Sequence, residues 1–212
     1  DDKRIRFPRA LVEDMLKKWT PMPLRRYVQG FKVPVEFPEQ EVVFPPYLLG
    51  LWLGDGSAGT DNFQITTADE EVVYCMEEYA NGLRFEDGKN TFQARLRYHA
   101  KPGNAASTIS LGFGRGGNKQ TAGFRENAPA YQLRSLGVYD NKRVPELYKA
   151  NSVSVRMDVL AGMIDSDGFY KADSKLFEIC NTNGDLIKDI KFIADSLGYR
   201  TSLVFRQTRD QN

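Results

Sequence analysis

Two short stretches of the chain place an aspartate where an apolar helix is predicted to end. They read YLLGLWLGDGS over residues 47–57 and VLAGMIDSDGFY over residues 159–170. In each, an apolar run leads to an aspartate followed by glycine, so Asp55 and Asp167 fall at C-terminal helix tips. A carboxylate is unfavourable there, because the helix dipole already places partial negative charge at that end. Two copies of this arrangement indicate that some other group offsets the cost in both.

Small residues spaced four apart indicate how the two helices meet. The first stretch has Gly50 and Gly54, and the second has Gly162 and Ser166. On a helix this spacing forms one smooth stripe, so two backbones can approach closely. Parallel packing would bring both aspartates and both helix C-termini to one place, which calls for a divalent cation between them. Oxygen ligands without Cys or His favour a hard cation, and we expect Mg²⁺. The alternative is that each aspartate only caps an adjoining turn.

The chain contains an internal duplication. Residues 63–85 match residues 177–199 at a constant offset of 114, with apolar residues aligned from Phe63 and Phe177 to Phe85 and Tyr199. The two helix-tip aspartates are 167 − 55 = 112 residues apart. A period of about a hundred residues is too long for a solenoid repeat and indicates two copies of one unit. Each copy is predicted to contain an apolar helix, a short strand, an amphipathic helix (about 69–83 and 185–197) and further strands.

The distribution of charge favours a nucleic-acid partner, although the net charge is only +1. Residues 54–83 carry seven acids and no Lys or Arg, whereas residues 84–125 carry eight bases and two acids. Within the basic block, TFQARLRYH (91–99) alternates as a strand does, with Gln93, Arg95, Arg97 and His99 on one face. STISLGF (107–113) alternates likewise, with Thr108 and Ser110 on its polar side. Such a face can fill the major groove of DNA. The alternative is an ordinary sheet with one solvated face.

Other classes of function have little support in the sequence. The apolar stretches are far shorter than the roughly 20 residues that cross a bilayer, so no membrane partner is expected. Cys75 and Cys180 lack the spacing of a metal site and favour a reducing compartment, nuclear or cytoplasmic. GFGRGG (112–117) matches a nucleotide-binding pattern, but no helical pattern follows it, so it is interpreted as a basic hairpin loop.

The two aspartate stretches resemble the paired signature of the LAGLIDADG homing endonucleases. LAGMIDSDG (160–168) matches that signature at seven of nine positions. LLGLWLGDG (48–56), which comes earlier in the chain, is the other copy of the motif. NKRVPELY (141–148) is similar to the family's segment carrying a catalytic-site lysine, which falls on Lys142. FKVPVEFPEQ and PPYLLGLWLGDG resemble the endonuclease regions of fungal inteins, such as those in the vacuolar ATPase and a spliceosomal factor. The resemblance covers about residues 31–206.

The resemblance implies an α+β fold in which two pseudo-symmetric αββαββα repeats, residues 46–150 and 151–212, form a saddle over double-stranded DNA. It implies a monomeric, Mg²⁺-dependent endonuclease of intein origin that cuts both strands at a specific site and so promotes intein homing. Asp55 and Asp167 would bind the metal with the carbonyls of Gly54 and Ser166, and Lys142 would polarise water or the scissile phosphate. The residues expected to contact DNA are Gln93, Arg95, Arg97, His99, Arg115 and Lys119.

The resemblance leaves two alternatives open: a degenerate copy that binds DNA without cutting, and an RNA maturase. Residues 1–45 resemble the linker from an intein splicing domain. The second repeat reaches only the counterpart of about residue 98. We therefore expect an incomplete second repeat and a chain that is part of a longer intein, with poor cleavage unless downstream residues complete the repeat.

Overall fold

The computed structural model describes residues 33–58, 63–87, 90–100, 107–113 and 128–205, with the backbone alone for part of the strands between 84 and 113. The elements in chain order are α1 (Pro46–Asp55), β1 (Phe63–Thr67), α2 (Glu70–Gly82), β2 (Arg84–Asp87), β3 (Asn90–Ala100), β4 (Ser107–Phe113), α3 (Pro129–Ser135), α4 (Glu146–Lys149), α5 (Val153–Asp167), β5 (Gly168–Lys171), β6 (Leu176–Ile179) and α6 (Gly184–Ser196). This mixture of helices and small antiparallel sheets confirms the predicted α+β class.

The centre of the fold is the contact between α1 and α5. Pro46 occupies the first turn of α1, where its missing N–H costs nothing. The Ser152 hydroxyl caps the start of α5 by accepting a hydrogen bond from the Val155 N–H. Each helix is followed directly by a glycine, Gly56 or Gly168, whose N–H donates to a carbonyl four residues back. The two predicted apolar stretches are therefore helices, and each ends at the aspartate named from the sequence.

The two helices touch through their glycines. A Cβ added at Gly50 would lie within 3 Å of the Val159 carbonyl oxygen and the Met163 nitrogen. A Cβ added at Gly162 would lie equally close to backbone atoms of Tyr47 and Leu51. Because backbone atoms occupy that space, only glycine fits at either position. The predicted stripe of small residues is confirmed, and the helices run in parallel.

A four-stranded antiparallel sheet in the order β1–β4–β3–β2 follows α1 and contacts that helix through β1. Its buried face and helix α2 contribute to one hydrophobic core, with Phe63, Ile65, Ala94, Ile109, Leu111, Val72, Met76 and Ala80. The strands predicted from alternation are confirmed. Ser110, expected on the solvated side, is only 6% exposed; it lies on the central strand β4, where its register partners are Gln64 and Arg97.

The second copy has a shorter, two-stranded sheet, β5–β6. Helix α6 begins and ends 114 residues after α2, since 70 + 114 = 184 and 82 + 114 = 196. A local hydrogen bond also recurs: the Asp69 N–H donates to Thr67 Oγ1 (3.0 Å), and the Asn183 N–H donates to Asn181 Oδ1 (2.9 Å). The predicted amphipathic helices are confirmed, while the full pseudo-symmetric arrangement of two repeats stays a prediction.

Residues 33–40, which the sequence assigns to a linker, contact the second copy. Arg156 is fully buried, and its guanidinium donates to the carbonyls of Asn151 and Val35 and to the Ser196 hydroxyl. Because α6 ends at Ser196, the cation lies at the negative end of that helix. The Val35 N–H in turn donates to the Ser196 carbonyl (2.7 Å). The described residues from Val33 onward accordingly belong to one compact unit.

Across the described ranges of the chain, the longest apolar helices fall short of the length and hydropathy that a membrane-spanning segment requires.

We expect Gly162→Ala to destabilise the protein by about 3 kcal/mol, because the added methyl group meets backbone atoms that cannot move aside. Gly82→Ala is the matched control: it is also helical, nothing lies within 4 Å of its added Cβ, and it should be neutral or slightly stabilising. Urea unfolding followed by circular dichroism measures both. Equal effects of the two substitutions would contradict the close contact between α1 and α5.

Candidate metal centre at the ends of two helices

The C-terminal ends of α1 and α5 bring Asp55 and Asp167 together. A Cβ added at Gly54 would lie 2.7 Å from Ser166 Cβ and 3.3 Å from Asp167 Cγ, so the last turns of the two helices are in contact. Burial raises the pKa of Asp55 above its ordinary value, and the charge of Asp167 raises it further. The two carboxylates that were predicted to share a metal are therefore close enough for their charges to repel each other.

Lys142 lies beside this pair of acids. Its Nζ donates hydrogen bonds to the Gly54 carbonyl (2.9 Å) and the Gly56 carbonyl (2.8 Å), and it lies 5.2 Å from the centre of the Trp52 ring. Burial lowers the pKa of Lys142, while Asp167 and Asp55 act to raise it. The ammonium group thus caps the end of α1 and offsets part of the negative charge there. The Gly54 carbonyl, predicted as a metal ligand, accepts a hydrogen bond from Lys142 here.

Two asparagines complete the site, and the sequence analysis missed both. Asn181 Nδ2 donates to Asp167 Oδ2 (2.7 Å), and Asn183 Nδ2 donates to the Lys142 carbonyl (2.7 Å). They orient the carboxylate and the lysine segment respectively. A signal was present in the duplication, because these residues align with Thr67 and Asp69 at the offset of 114. The side chain of Thr67 is shorter than that of its counterpart Asn181, which contacts Asp167. The side chains around Asp55 therefore differ from those around Asp167.

A buried ion cluster fixes the segment that carries Lys142. Asp189 on α6 is 4% exposed and accepts hydrogen bonds from Arg143 Nε (2.7 Å), Lys149 Nζ (2.9 Å) and the Val144 N–H (3.1 Å). Burial would raise the pKa of Asp189, but these donors hold it below its ordinary value. Removing one partner of such a cluster is costly, because it leaves a buried charge unpaired. The position of Lys142 therefore depends on α6.

Asp165, the other acid of the second motif, has a separate partner. Tyr47 Oη donates to Asp165 Oδ2 (2.8 Å), and burial together with this hydrogen bond raises the pKa of Tyr47. The contact links the first turn of α1 to the end of α5. Asp165 therefore supports the packing of the helices.

The donor groups fit a magnesium ion that also binds substrate. Within the parts of the chain that the structure describes, no three His, Cys, Asp or Glu side chains cluster as a closed metal site. Asp55 and Asp167 could hold the ion, with the carbonyls of Gly54 and Ser166 nearby. Mg²⁺ in proteins commonly takes one or two carboxylates and completes its shell with water and substrate phosphate. An open pair of acids suits that mode.

The predicted DNA-contacting residues are divided between described and undescribed parts of the chain. Gln93, Arg95, Arg97 and His99 occupy positions of β3 that alternate with the buried Ala94 and half-buried Leu96. In register, Arg97 pairs with Ser110 and His99 pairs with Thr108. Arg115 and Lys119 lie outside the described residues.

The curated proteins that are distantly similar to this chain include a helicase and an endonuclease, and no family model matches it. The replicative DNA helicase DnaB of Mycobacterium intracellulare is 29% identical over 178 residues, covering 84% of this chain and 23% of the helicase. The homothallic switching endonuclease of Saccharomyces cerevisiae is 24% identical over 177 residues, covering 78% of this chain and 29% of the endonuclease. The chain thus spans about a quarter of the length of each relative.

In the absence of divalent metal, we expect Asp55→Asn to be more stable than the wild type at pH 7, by less than about 1 kcal/mol. The folded-state pKa of Asp55 is raised, so stability is lost as the pH rises from about 3.9, the ordinary value, through the folded-state pKa. The difference should therefore vanish as the pH falls towards 4. Melting temperatures in EDTA from pH 4 to 7 measure it.

Asp173→Asn removes one carboxylate charge in the exposed turn between β5 and β6 and serves as the control; it should not make the protein more stable at pH 7. A wild type that is more stable than Asp55→Asn at pH 7 in EDTA would contradict the repulsion between the two carboxylates.

Proposed function

We propose that this chain is the nuclease region of a LAGLIDADG-type homing endonuclease that hydrolyses phosphodiester bonds of duplex DNA at a specific site. The observation that carries the proposal is the convergence of Asp55 and Asp167 at the ends of two parallel helices, with Lys142 beside them. The similarity to an endonuclease supports the same reaction class. A lysine next to paired carboxylates suits a reaction at a phosphate, whose negative charge increases in the transition state.

Each residue of the site has a distinct task in this reaction. A bound Mg²⁺ would supply Lewis-acid activation of the phosphate and of water. Asp55 and Asp167 would hold that ion, and Asn181 keeps the Asp167 carboxylate in one orientation through its Oδ2. Lys142 Nζ can exchange its carbonyl partners for a phosphate oxygen, because both sets are oxygen acceptors. Asn183 restrains the lysine backbone while the side chain moves.

Specific binding would come from the four-stranded sheet. Its β3 positions Gln93, Arg95, Arg97 and His99 carry side chains whose donors and acceptors suit base edges and phosphates. A two-stranded antiparallel ribbon fits the major groove, which is about 12 Å wide. Both acids come from one chain, so a monomer could form the whole site.

The two relatives also support an origin as an inserted segment. An endonuclease and a replicative helicase both contain a region similar to this chain, and the region makes up about a quarter of each protein. Insertion of a mobile coding segment into unrelated genes would produce this pattern. We therefore propose an intein-associated enzyme acting inside the cell, in the nucleus or cytoplasm, that cuts DNA lacking the insertion. The proposal includes a specific relationship between this chain and the endonuclease regions of fungal inteins.

Asp55→Asn and Asp167→Asn should each reduce double-strand cleavage at least about a hundredfold while leaving DNA binding nearly unchanged, because the metal serves the chemistry. Asn181→Ala should reduce cleavage by roughly 10- to 100-fold, since it only orients a ligand. The substrate is a supercoiled plasmid carrying the encoding gene rejoined across the insertion, incubated with Mg²⁺ or EDTA. Conversion to linear DNA is measured on gels.

Asp165→Asn is the matched control: it removes a charge two residues from Asp167 and keeps an acceptor for Tyr47, so cleavage should persist. Full cleavage by either metal-site variant would refute the shared site. Wild-type protein that binds the plasmid site without cutting it would identify a degenerate copy, and preference for intron RNA over duplex DNA would identify a maturase.

Arg97→Ala should weaken binding to the selected DNA site. If Arg97 contacts a base, the cost should be on the order of 1–3 kcal/mol and specificity should relax at one position. If it contacts a phosphate, affinity should fall for every sequence and the salt dependence should decrease by about one ion. Fluorescence anisotropy at several salt concentrations distinguishes these outcomes. Lys188→Ala, on the exposed side of α6, removes one charge as a control; equal effects would contradict a DNA-contacting role for the sheet.

A further inference from the structure

The second sheet carries an exposed apolar surface. Phe169 on β5 is 63% exposed and Leu176 on β6 is 52% exposed. Strand register pairs Phe169 with Glu178 and Lys171 with Leu176, so these four residues share one face of the sheet. Ile179, half-buried against the core, lies on the opposite face. The four residues, here called the β5–β6 outer face, therefore face away from the core.

This outer face corresponds to the face of the first sheet that we propose contacts DNA. Glu178 aligns with Gln64, since 64 + 114 = 178. Gln64 pairs in register with Ser110, and Ser110 pairs with Arg97. By the duplication, the outer face of β5–β6 occupies the equivalent position in the second copy.

The chemistry of the two faces is different. The first sheet places Gln, Thr, Ser, Arg and His at these positions. On the β5–β6 outer face, the two charged residues neutralise each other, because Lys171 Nζ lies 2.7 Å from Glu178 Oε1. What remains available for contact is the surface of Phe169 and Leu176.

We propose that the β5–β6 outer face recognises thymine 5-methyl groups in the half-site next to Asp167. This inference rests on the proposed endonuclease function. In the major groove, the thymine methyl is the one base-edge feature that apolar side chains read. Polar base edges would lose hydrogen bonds to water against Phe169 without gaining a partner.

The position of the face limits where such thymines lie. Phe169 follows Asp167 by two residues, and a strand advances about 3.3 Å per residue, so it lies about 7 Å from the acid. That is about two base-pair steps of 3.4 Å. Leu176 is opposite Lys171, four residues from Asp167, and lies about four steps away. We expect thymines at about these two distances from the scissile phosphate.

The test begins with selection of a site from a randomised duplex library by the wild-type protein in EDTA, so that metal chemistry is not involved. Each thymine of the selected duplex is then replaced singly by deoxyuridine, which lacks only the methyl group. Replacement in the half-site next to Asp167 should weaken binding about fourfold, the factor that corresponds to one buried methyl group. Replacement at the positions read by the first sheet should have a smaller effect.

At the position about two steps from the scissile phosphate, Phe169→Ala should bind the thymine and deoxyuridine duplexes equally well, because its methyl contact is gone. Sensitivity at the position about four steps away, next to Leu176, should remain. Tyr170→Ala is the matched control: Tyr170 is an exposed aromatic residue on the same strand but on the opposite face. This variant should keep the full sensitivity to the methyl group.

Three results would overturn the inference: a selected half-site without thymine, wild-type binding that ignores deoxyuridine, or a Phe169→Ala variant that still discriminates thymine from deoxyuridine at the position two steps from the scissile phosphate. A wild type that dimerises in solution, with Phe169→Ala monomeric, would also overturn it, since the face would then bind protein. Failure to enrich any duplex would instead refute the endonuclease proposal itself.

Discussion

The rest of the structure depends on the direct contact between the backbones of α1 and α5 at Gly50 and Gly162. This contact permits one separation and one register, and it aligns the helices in parallel. Because the helices are parallel, their C-terminal ends lie side by side. The negative ends of both helix dipoles therefore meet, together with Asp55 and Asp167. The electrostatic problem at the site is thus a consequence of how the core packs.

The surrounding residues show how a protein accommodates this repulsion. Lys142 supplies a positive charge and two hydrogen bonds to the end of α1, and Asn181 supplies a donor to Asp167. One ammonium faces two carboxylates and two helix C-termini, so these partners offset only part of the negative charge at the site. Lys142 lies near the end of the first copy, while Asn183 and Asp189, which fix the backbone of the lysine segment, belong to the second. The site is therefore shared between the two copies.

What the sequence could predict was local or periodic. The apolar runs, the glycine spacing and the alternation in β3 each report on a helix or strand directly, and the structure agrees with them. Asn181 and Arg156 were not identified, because their importance comes from partners brought close only by folding: Asp167 for one, Val35 and Ser196 for the other. The burial of Ser110 was missed for a related reason, since alternation gives the face of a strand and not what covers it. The duplication offset could have indicated Asn181, as it aligns with Thr67 at the same strand end.

The glycine contact also has a consequence for biosynthesis. Gly50 and Gly162 are 162 − 50 = 112 residues apart, so the central contact is among the most non-local in the chain. Contacts of this kind slow folding, because a long loop must close before the contact contributes. At about 5 to 20 residues per second, the ribosome needs roughly 6 to 20 seconds to make α5 after α1. During that interval the glycine face of α1 has no partner helix, and the nascent chain must keep it from non-native association.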